Sequence, residues 1–101
     1  MLNQIVLIGK VHSMPIEEKK ENGSRSISFV LAVERPFRES DGTYGLDYVR
    51  VFPWKGIAEQ MKDLCTVGSI IAVKGRVRCS SVSDDVVVIA EHIRFISMKE
   101  E

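Results

Sequence analysis

The sequence predicts an all-β fold with one helix, and two observations carry the prediction. Five segments rich in apolar and β-branched residues are separated by turn signals, and one window between the third and fourth segments has helical periodicity. The predicted strands are residues 4–11, 26–34, 44–54, 69–78 and 86–96, and the predicted helix is residues 55–67. This order is that of the OB-fold, a partly open five-stranded Greek-key barrel with a helix between strands 3 and 4. Another small barrel and an α+β sandwich are the alternatives.

The first two strands follow from the hydrophobic pattern. Residues 4–11 are β-rich and apolar, whereas residues 15–24 are polar and charged and include the turn dipeptide Asn22-Gly23, so we expect a loop there. Residues 26–34 then alternate with a period of two, which is typical of a half-buried strand. The side chains predicted to share the core face are Ile27, Phe29, Leu31 and Val33.

The later elements carry similar signals. Ser40-Asp41-Gly42 marks a reversal before the third strand, and residues 80–85 form a short polar turn before the fifth. In the helical window the apolar residues recur at a spacing that places them on one stripe of a helix. They are Ile57, Ala58, Met61, Leu64 and Cys65.

Length and composition indicate one globular domain. The chain has 101 residues, of which 45% are hydrophobic and 28% charged, and we assign residues 1–97 to the domain and 98–101 to a charged stub. The longest apolar run, residues 86–90, is too short to span a membrane, and residues 1–10 lack the features of a secretion signal. These features predict a cytoplasmic protein.

Residues that carry metal or catalytic chemistry form no recognisable motif. Cys65, Cys79, His12 and His92 fit neither a zinc spacing nor a disulfide framework, and we expect reduced thiols. The sequence also lacks a nucleophile–base pair, a phosphate-binding glycine loop and paired catalytic carboxylates. We therefore predict a protein without cofactor, metal or enzymatic activity.

The third strand carries an unusual outer face. With Val49 and Val51 assigned to the core, alternation places Tyr48, Arg50, Phe52 and Trp54 together on the opposite face. Rings in such a row either line a core or a subunit interface, or form a platform on which unpaired bases stack. A cation among the rings favours the second interpretation, because it can contact a phosphate.

The fourth strand adds a row of cations. Lys74, Arg76 and Arg78 share a face without an acid, and Arg35 and Arg38 flank Phe37 at the end of the second strand. The chain has 14 Lys and Arg against 14 Asp and Glu, so its net charge is zero and overall basicity cannot bind a polyanion. Charges segregated into one groove with the rings would still bind single-stranded nucleic acid. A solvated strand face is the alternative.

These residues resemble the bacterial single-stranded DNA-binding protein family, in a short form without the family's acidic C-terminal tail. MLNQIVLIGK at residues 1–10 resembles the family's first strand, and FVLAVERPF at 29–37 resembles the second. DYVRVFPWK at 47–55, with Ala58-Glu59 after it, resembles the third strand and the start of the helix. VGS at 67–69 and VKGRV at 73–77 resemble the fourth strand. The pieces follow the family's order and spacing over nearly the whole chain.

The resemblance implies which residues contact DNA. Family aromatics that stack on bases fall on Phe37, Tyr48 and Trp54, whereas a fourth falls near Val82, where this sequence has no ring. The candidate contacts to the DNA backbone are Arg35, Arg38, Arg50, Lys55, Lys74, Arg76 and Arg78, with Phe52 and Lys10 as additional candidates. Pro53 departs from the family pattern and, lacking an N–H, is expected to end or bulge the third strand.

The resemblance also implies a role and an assembly. We expect a protein that coats single-stranded DNA in replication, repair or recombination, near the nucleoid, encoded by a bacterium, a phage or a mobile element. The family forms homotetramers, and Val6 and Ile8 of the first strand fit a self-pairing surface, with a place in the core as the alternative. Replication or repair proteins are further candidate partners, although the usual docking tail is absent. A primosome-type OB protein that contacts a helicase loader and an RNA-binding OB module are the alternative functions.

Overall fold

Five strands form one closed barrel in the computed structural model, which describes residues 1–19, 21, 23, 25–80 and 84–97. The elements are β1 (Ile5–Lys19), β2 (Arg25–Arg38), β3 (Tyr44–Pro53), α1 (Ile57–Leu64), β4 (Ile70–Cys79) and β5 (Val86–Ser97). Around the barrel the strand order is β1-β2-β3-β5-β4, and β4 pairs back onto β1. The predicted OB-fold with its helix between β3 and β4 is confirmed, although the barrel is closed rather than partly open.

The core lies inside the barrel and under α1. Phe29, Leu31, Val51 and Ile71 are fully buried, as the alternation along their strands requires. Met61 of α1 is also fully buried and belongs to the same cluster. The predicted stripe of the helix is only partly correct, because Leu64 is 47% exposed where α1 ends.

The helix is shorter than predicted at both ends. Gly56 precedes it with φ 87°, a left-handed conformation that glycine adopts without strain and that interrupts a helix started at residue 55. Cys65 follows α1 in an extended conformation, which ends the helical geometry before residue 67. The apolar residues keep a helical spacing up to Cys65, where the backbone is already extended. The predicted range of residues 55–67 is therefore too long.

Strands β1 and β2 run further than the sequence predicts. Residues 15–19, expected in a loop, continue β1, and the β1–β2 register slips by one residue between Ser13 and Ile16. Pro15 lies in this irregularity, where its missing N–H removes no ladder bond. In the same way β2 passes through Pro36 by a shift between Glu34 and Arg38. Pro15 and Pro36 thus lie at irregularities within longer strands rather than at strand ends.

One turn, one strand end and one contact at the N-terminus complete the description of the barrel. The predicted reversal at residues 40–42 is present: Gly42 has φ 87°, its N–H donates to the carbonyl of Glu39, and the Asp41 carboxylate accepts from Thr43. Strand β3 ends at Pro53, as expected. The Asn3 side chain donates to the Val77 carbonyl and accepts from the Val77 N–H, which fastens the N-terminus to β4.

Some sequence predictions fall outside the described residues. They are the turn position Asn22, the Val82 position where the family has a ring, and the charged stub at 98–101. Among the described residues, α1 is far too short to cross a membrane.

Candidate nucleic-acid interface

Four aromatic side chains are exposed along the β2–β3 hairpin and just beyond it: the three predicted stacking residues, and Tyr44 at the start of β3, which is 44% exposed. Phe37, Tyr48 and Trp54 have relative exposures of 58%, 59% and 58%. Phe37 lies near the end of β2, Tyr48 in the middle of β3, and Trp54 directly after β3. Because large aromatic side chains are mostly buried in folded proteins, this exposure excludes a core role for these rings and leaves them available to a ligand or a second subunit.

The outer face of β3 is arranged as the alternation predicts. Val51 is fully buried and Val49 packs against the core, whereas Tyr48 and Arg50 are exposed. Arg50 donates a 2.9 Å hydrogen bond from Nη1 to Oγ of Ser28 on β2. This bond holds the guanidinium on the same face as the Tyr48 ring.

Tyr48 has a neighbour that the sequence did not indicate as part of the site. The His12 ring of β1 meets the Tyr48 ring edge-on, with centroids 4.8 Å apart and planes inclined by 61°. Edge-to-face contact is a preferred arrangement of aromatic rings, and it holds Tyr48 in one orientation. Sequence reasoning could not pair these residues, because β1 and β3 meet only across β2.

Trp54 lies in an open groove of about 340 Å³ at the end of β3. The groove is lined by Arg25, Ser26, Ile27, Phe52, Pro53, Trp54, Arg76, Arg78 and Ile89. The backbone N–H of Trp54 donates a 2.7 Å hydrogen bond to the Ala90 carbonyl, which fixes the backbone that carries the ring. Two aromatic rings and three guanidinium groups therefore share one concave surface.

The register explains how the groove is assembled. Phe52 of β3 lies beside Ile89 of β5, and Ile89 lies beside Arg76 of β4, so the three side chains form a row on one face. Ile27 also reaches this groove: it is 38% exposed rather than in the core as predicted, because it lies where β2 begins, at the margin of the barrel.

The three cations of β4 keep the common face that the alternation predicts, but only two of them line the groove. Arg76 and Arg78 line the groove, whereas Lys74 lines a different depression with His92 and Arg94. The β4–β5 register shifts between Lys74 and Gly75, and this bulge breaks the regular relation between the two strands. Lys74 is therefore not among the residues that line the groove around Trp54.

The two arginines of β4 that line the groove are at most loosely ion-paired within the described part of the chain. Arg76 Nε lies 3.8 Å from Oε2 of Glu91, which is a loose contact between half-exposed side chains. For Arg78, none of the described carboxylates lies within ion-pair distance. Both guanidinium groups are thus accessible to an anion in the groove.

Arg35 is engaged within the protein. Its Nη2 lies 2.9 Å from Oδ1 of Asp47 and its Nη1 lies 3.2 Å from Oε1 of Glu39. The hydrogen bonding that Arg35 donates to the Asp47 carboxylate, more than any other contact, raises the pKa of Arg35 above its ordinary value. Through these two contacts Arg35 connects the two strands of the hairpin, and its contact with the DNA backbone stays a prediction.

The remaining candidate cations are exposed and lie at different distances from the rings. The Arg38 guanidinium lies 5.6 Å from the centroid of the Tyr44 ring, one residue after Phe37. Lys55 directly follows Trp54. Lys10 lies in the same row as Tyr48 and is separated from it by Ala32. A chain of zero net charge therefore still presents cations beside each exposed ring.

Comparison with known proteins gives the same family throughout. The chain is 29% identical to single-stranded DNA-binding protein B of Bacillus subtilis over 98% of this chain and 94% of that one. It is 30% identical to single-stranded DNA-binding protein 2 of Staphylococcus aureus over 98% and 76% of the two chains. It is also 30% identical to the single-stranded DNA-binding protein of Halalkalibacterium halodurans, of whose length it spans only 61%.

Solved structures share the architecture. The small single-stranded DNA-binding protein of Streptomyces coelicolor superimposes with a TM-score of 0.70 at 23% identity, over 95% of this chain and 96% of that one. A deletion mutant of the Thermus aquaticus single-stranded DNA-binding protein gives 0.65 at 29% identity, over 95% and 51%. The family model described as the single-strand binding protein family matches residues 2–96. The chain therefore belongs to the single-strand binding protein family.

Proposed function

We propose that this protein binds and coats single-stranded DNA with little sequence preference. The observation that carries the proposal is the groove in which Trp54 and Phe52 lie beside Arg76 and Arg78. The rings offer flat apolar faces for unpaired bases, and the guanidinium groups offer charge-assisted hydrogen bonds to phosphates. The relatives, which are named as single-stranded DNA-binding proteins, support the same ligand.

The geometry accounts for the selectivity for single strands. Every base has an aromatic face, so stacking on Phe37, Tyr48 and Trp54 tolerates any sequence. In duplex DNA those faces are covered by neighbouring bases, and an exposed ring has nothing to stack on. The protein acts by binding alone, and members of its family are not enzymes.

A binding titration tests this function. Fluorescently labelled single-stranded DNA, duplex DNA and RNA of one length are titrated with the protein at two salt concentrations, and anisotropy is recorded. We expect the tightest binding to single-stranded DNA. Equal binding to duplex DNA would contradict stacking as the basis of recognition, and tighter binding to RNA would support an RNA-binding OB module instead.

Salt dependence tests the two arginines of β4. Replacing Arg76 and Arg78 by alanine removes two phosphate contacts, and each contact contributes about −0.7 to the slope of log K against log salt. The slope should therefore become shallower by about 1.4. Lys74→Ala is the matched control, because Lys74 lies on the same strand but outside the groove. A double variant with the wild-type slope would show that Arg76 and Arg78 form only a solvated face.

We also propose that the protein forms a homotetramer, as its resemblance to the family implies. Val6 and Ile8 are 61% and 58% exposed on the outside of β1, where water would otherwise contact them. We expect the protein to sediment as a tetramer without DNA at micromolar concentration, and Ile8→Glu to shift it toward smaller species, because burying a carboxylate in an apolar contact is costly. A wild-type monomer would overturn this part of the proposal.

The cellular role follows from the ligand. We place the protein in the cytoplasm at the nucleoid, where it covers single-stranded DNA exposed by replication, repair or recombination. Residues 1–97 are the part that binds DNA in this proposal, and residues 98–101 are a charged stub. Replication or repair proteins are its candidate protein partners.

A further inference from the structure

Arg25 is a groove residue that the sequence did not indicate. It is the first residue of β2, and it lines the groove from the side opposite Arg76 and Arg78, which come from β4. The three guanidinium groups thus approach Trp54 from two different strands. The pairings of β2 with β3, of β3 with β5 and of β5 with β4 bring these strand ends together, and no spacing along the chain predicts them.

Arg25 has an internal anionic partner. Its Nη1 lies 3.2 Å from Oε1 of Glu17 on β1, and the two side chains are 66% and 49% exposed. Glu17 is not among the side chains that line the groove. Ion pairs between exposed side chains contribute little to stability, so another anion readily replaces the carboxylate.

We propose that Arg25 is a further contact to the DNA backbone and that the Glu17 carboxylate occupies this guanidinium when no DNA is bound. A phosphate that enters the groove takes the place of the carboxylate on Arg25, and Glu17 turns to solvent. A planar guanidinium pairs with carboxylates and phosphates alike, so a phosphate can replace the single Nη1–Oε1 contact to Glu17. This inference rests on the proposed function, since it names another residue of the same site.

The contrast with Arg35 supports the assignment. Arg35 is held by two carboxylates and lines none of the groove, so its release would cost two ion pairs without placing a charge near Trp54. Arg25 has one exposed partner and already faces the groove. Of these two arginines in β2, Arg25 is therefore the one that a phosphate beside Trp54 can recruit.

Binding of labelled oligothymidylate by three variants tests the inference. Arg25→Gln should weaken binding about tenfold, the usual effect of losing a hydrogen bond to a charged group. It should also make the slope of log K against log salt shallower by about 0.7. Lys62→Gln, which removes an exposed cation from α1, is the control and should change neither quantity by as much. Circular dichroism and melting temperature confirm that each variant is folded.

Glu17→Gln supplies the decisive comparison. In the wild-type background it should tighten binding about threefold, because the competing anion is gone. In the Arg25→Gln background the same change should have no effect, because there is no guanidinium left to release. A similar gain in both backgrounds would show direct repulsion between Glu17 and DNA, and would overturn the exchange.

Failure of this inference is distinguishable from failure of the proposed function. If wild-type protein binds oligothymidylate and Arg25→Gln behaves like Lys62→Gln, the assignment of Arg25 is wrong while DNA binding stands. If wild-type protein does not bind oligothymidylate, the proposed function falls, and the assignment of Arg25 falls with it.

Discussion

Trp54→Ala should weaken the binding of oligothymidylate by about 1–3 kcal/mol while leaving the fold intact. Trp54 is 58% exposed and lies in the groove with Phe52 and Arg76, so its removal deletes a stacking surface and leaves the core unchanged. Anisotropy of a labelled oligonucleotide measures the affinity. Tyr48→Ala and Phe37→Ala should act in the same direction with smaller effects.

The fluorescence of the wild-type protein gives an independent measurement. Trp54 is the single tryptophan, and stacking on a base should quench its emission in a saturable manner. Ile96→Ala is the control for stability, because Ile96 is a similarly exposed apolar side chain on β5, 48% accessible. If Trp54→Ala lowered the melting temperature far more than Ile96→Ala, and DNA left the wild-type emission unchanged, the ring would have a structural role instead.

Gly75→Ala should destabilise the barrel by about 3 kcal/mol, the upper end of the usual cost of overpacking. A β-carbon at Gly75 would collide with the carbonyl oxygen of Ile89 and would lie 2.9 Å from its carbonyl carbon. Both atoms belong to the backbone of β5, which pairs with β4, so neither can move without breaking the ladder. Urea unfolding should show the loss, and for a chain of this length the melting temperature should fall by about 12 °C or more.

Gly42→Ala separates this collision from the loss of glycine alone. Gly42 has φ 87° and no atom within 4 Å of an added β-carbon, so its substitution strains the backbone in open space. That strain costs about 1–2 kcal/mol. If Gly75→Ala were no more destabilising than Gly42→Ala, the β4–β5 pairing would be able to adjust, and the predicted collision would be relieved.

The features that the sequence predicted correctly are those set by the alternation of side chains along a single strand. The two faces of β3 follow from a period of two, so Val51 is buried and Tyr48 exposed as expected. The same rule placed Lys74, Arg76 and Arg78 on one face of β4, and the burial of Val73 and Gly75 at the alternate positions agrees with it. It did not indicate that only Arg76 and Arg78 line the groove at Trp54, because the β4–β5 register shifts after Lys74. A bulge is set by how two strands fit together, and one strand's sequence does not reveal it.

The composition of the groove could not be predicted for a related reason. Arg25 and Trp54 are separated by most of two strands and a turn, and they meet because the antiparallel pairing of β2 with β3 brings the start of one strand beside the end of the other. The ion pairs of Arg35 could not be predicted because its partners, Asp47 and Glu39, lie across and beyond the hairpin. Residue type indicated which cations the chain has, and only the tertiary structure separates those that are free to bind from those already paired.

The pairing of β1 with β4 has a consequence for how the chain folds during its synthesis. Strands β1, β2 and β3 can form a meander as soon as they leave the ribosome, but the other edge of β1 has no partner until residues 70–79 have been made. Unpaired strand edges recruit other chains, and contacts between distant parts of a sequence form slowly. We therefore expect an interval during synthesis in which the edge of β1 that bears Val6 and Ile8 is open to aggregation. The interval ends when β4 pairs with β1 and Asn3 bonds to Val77.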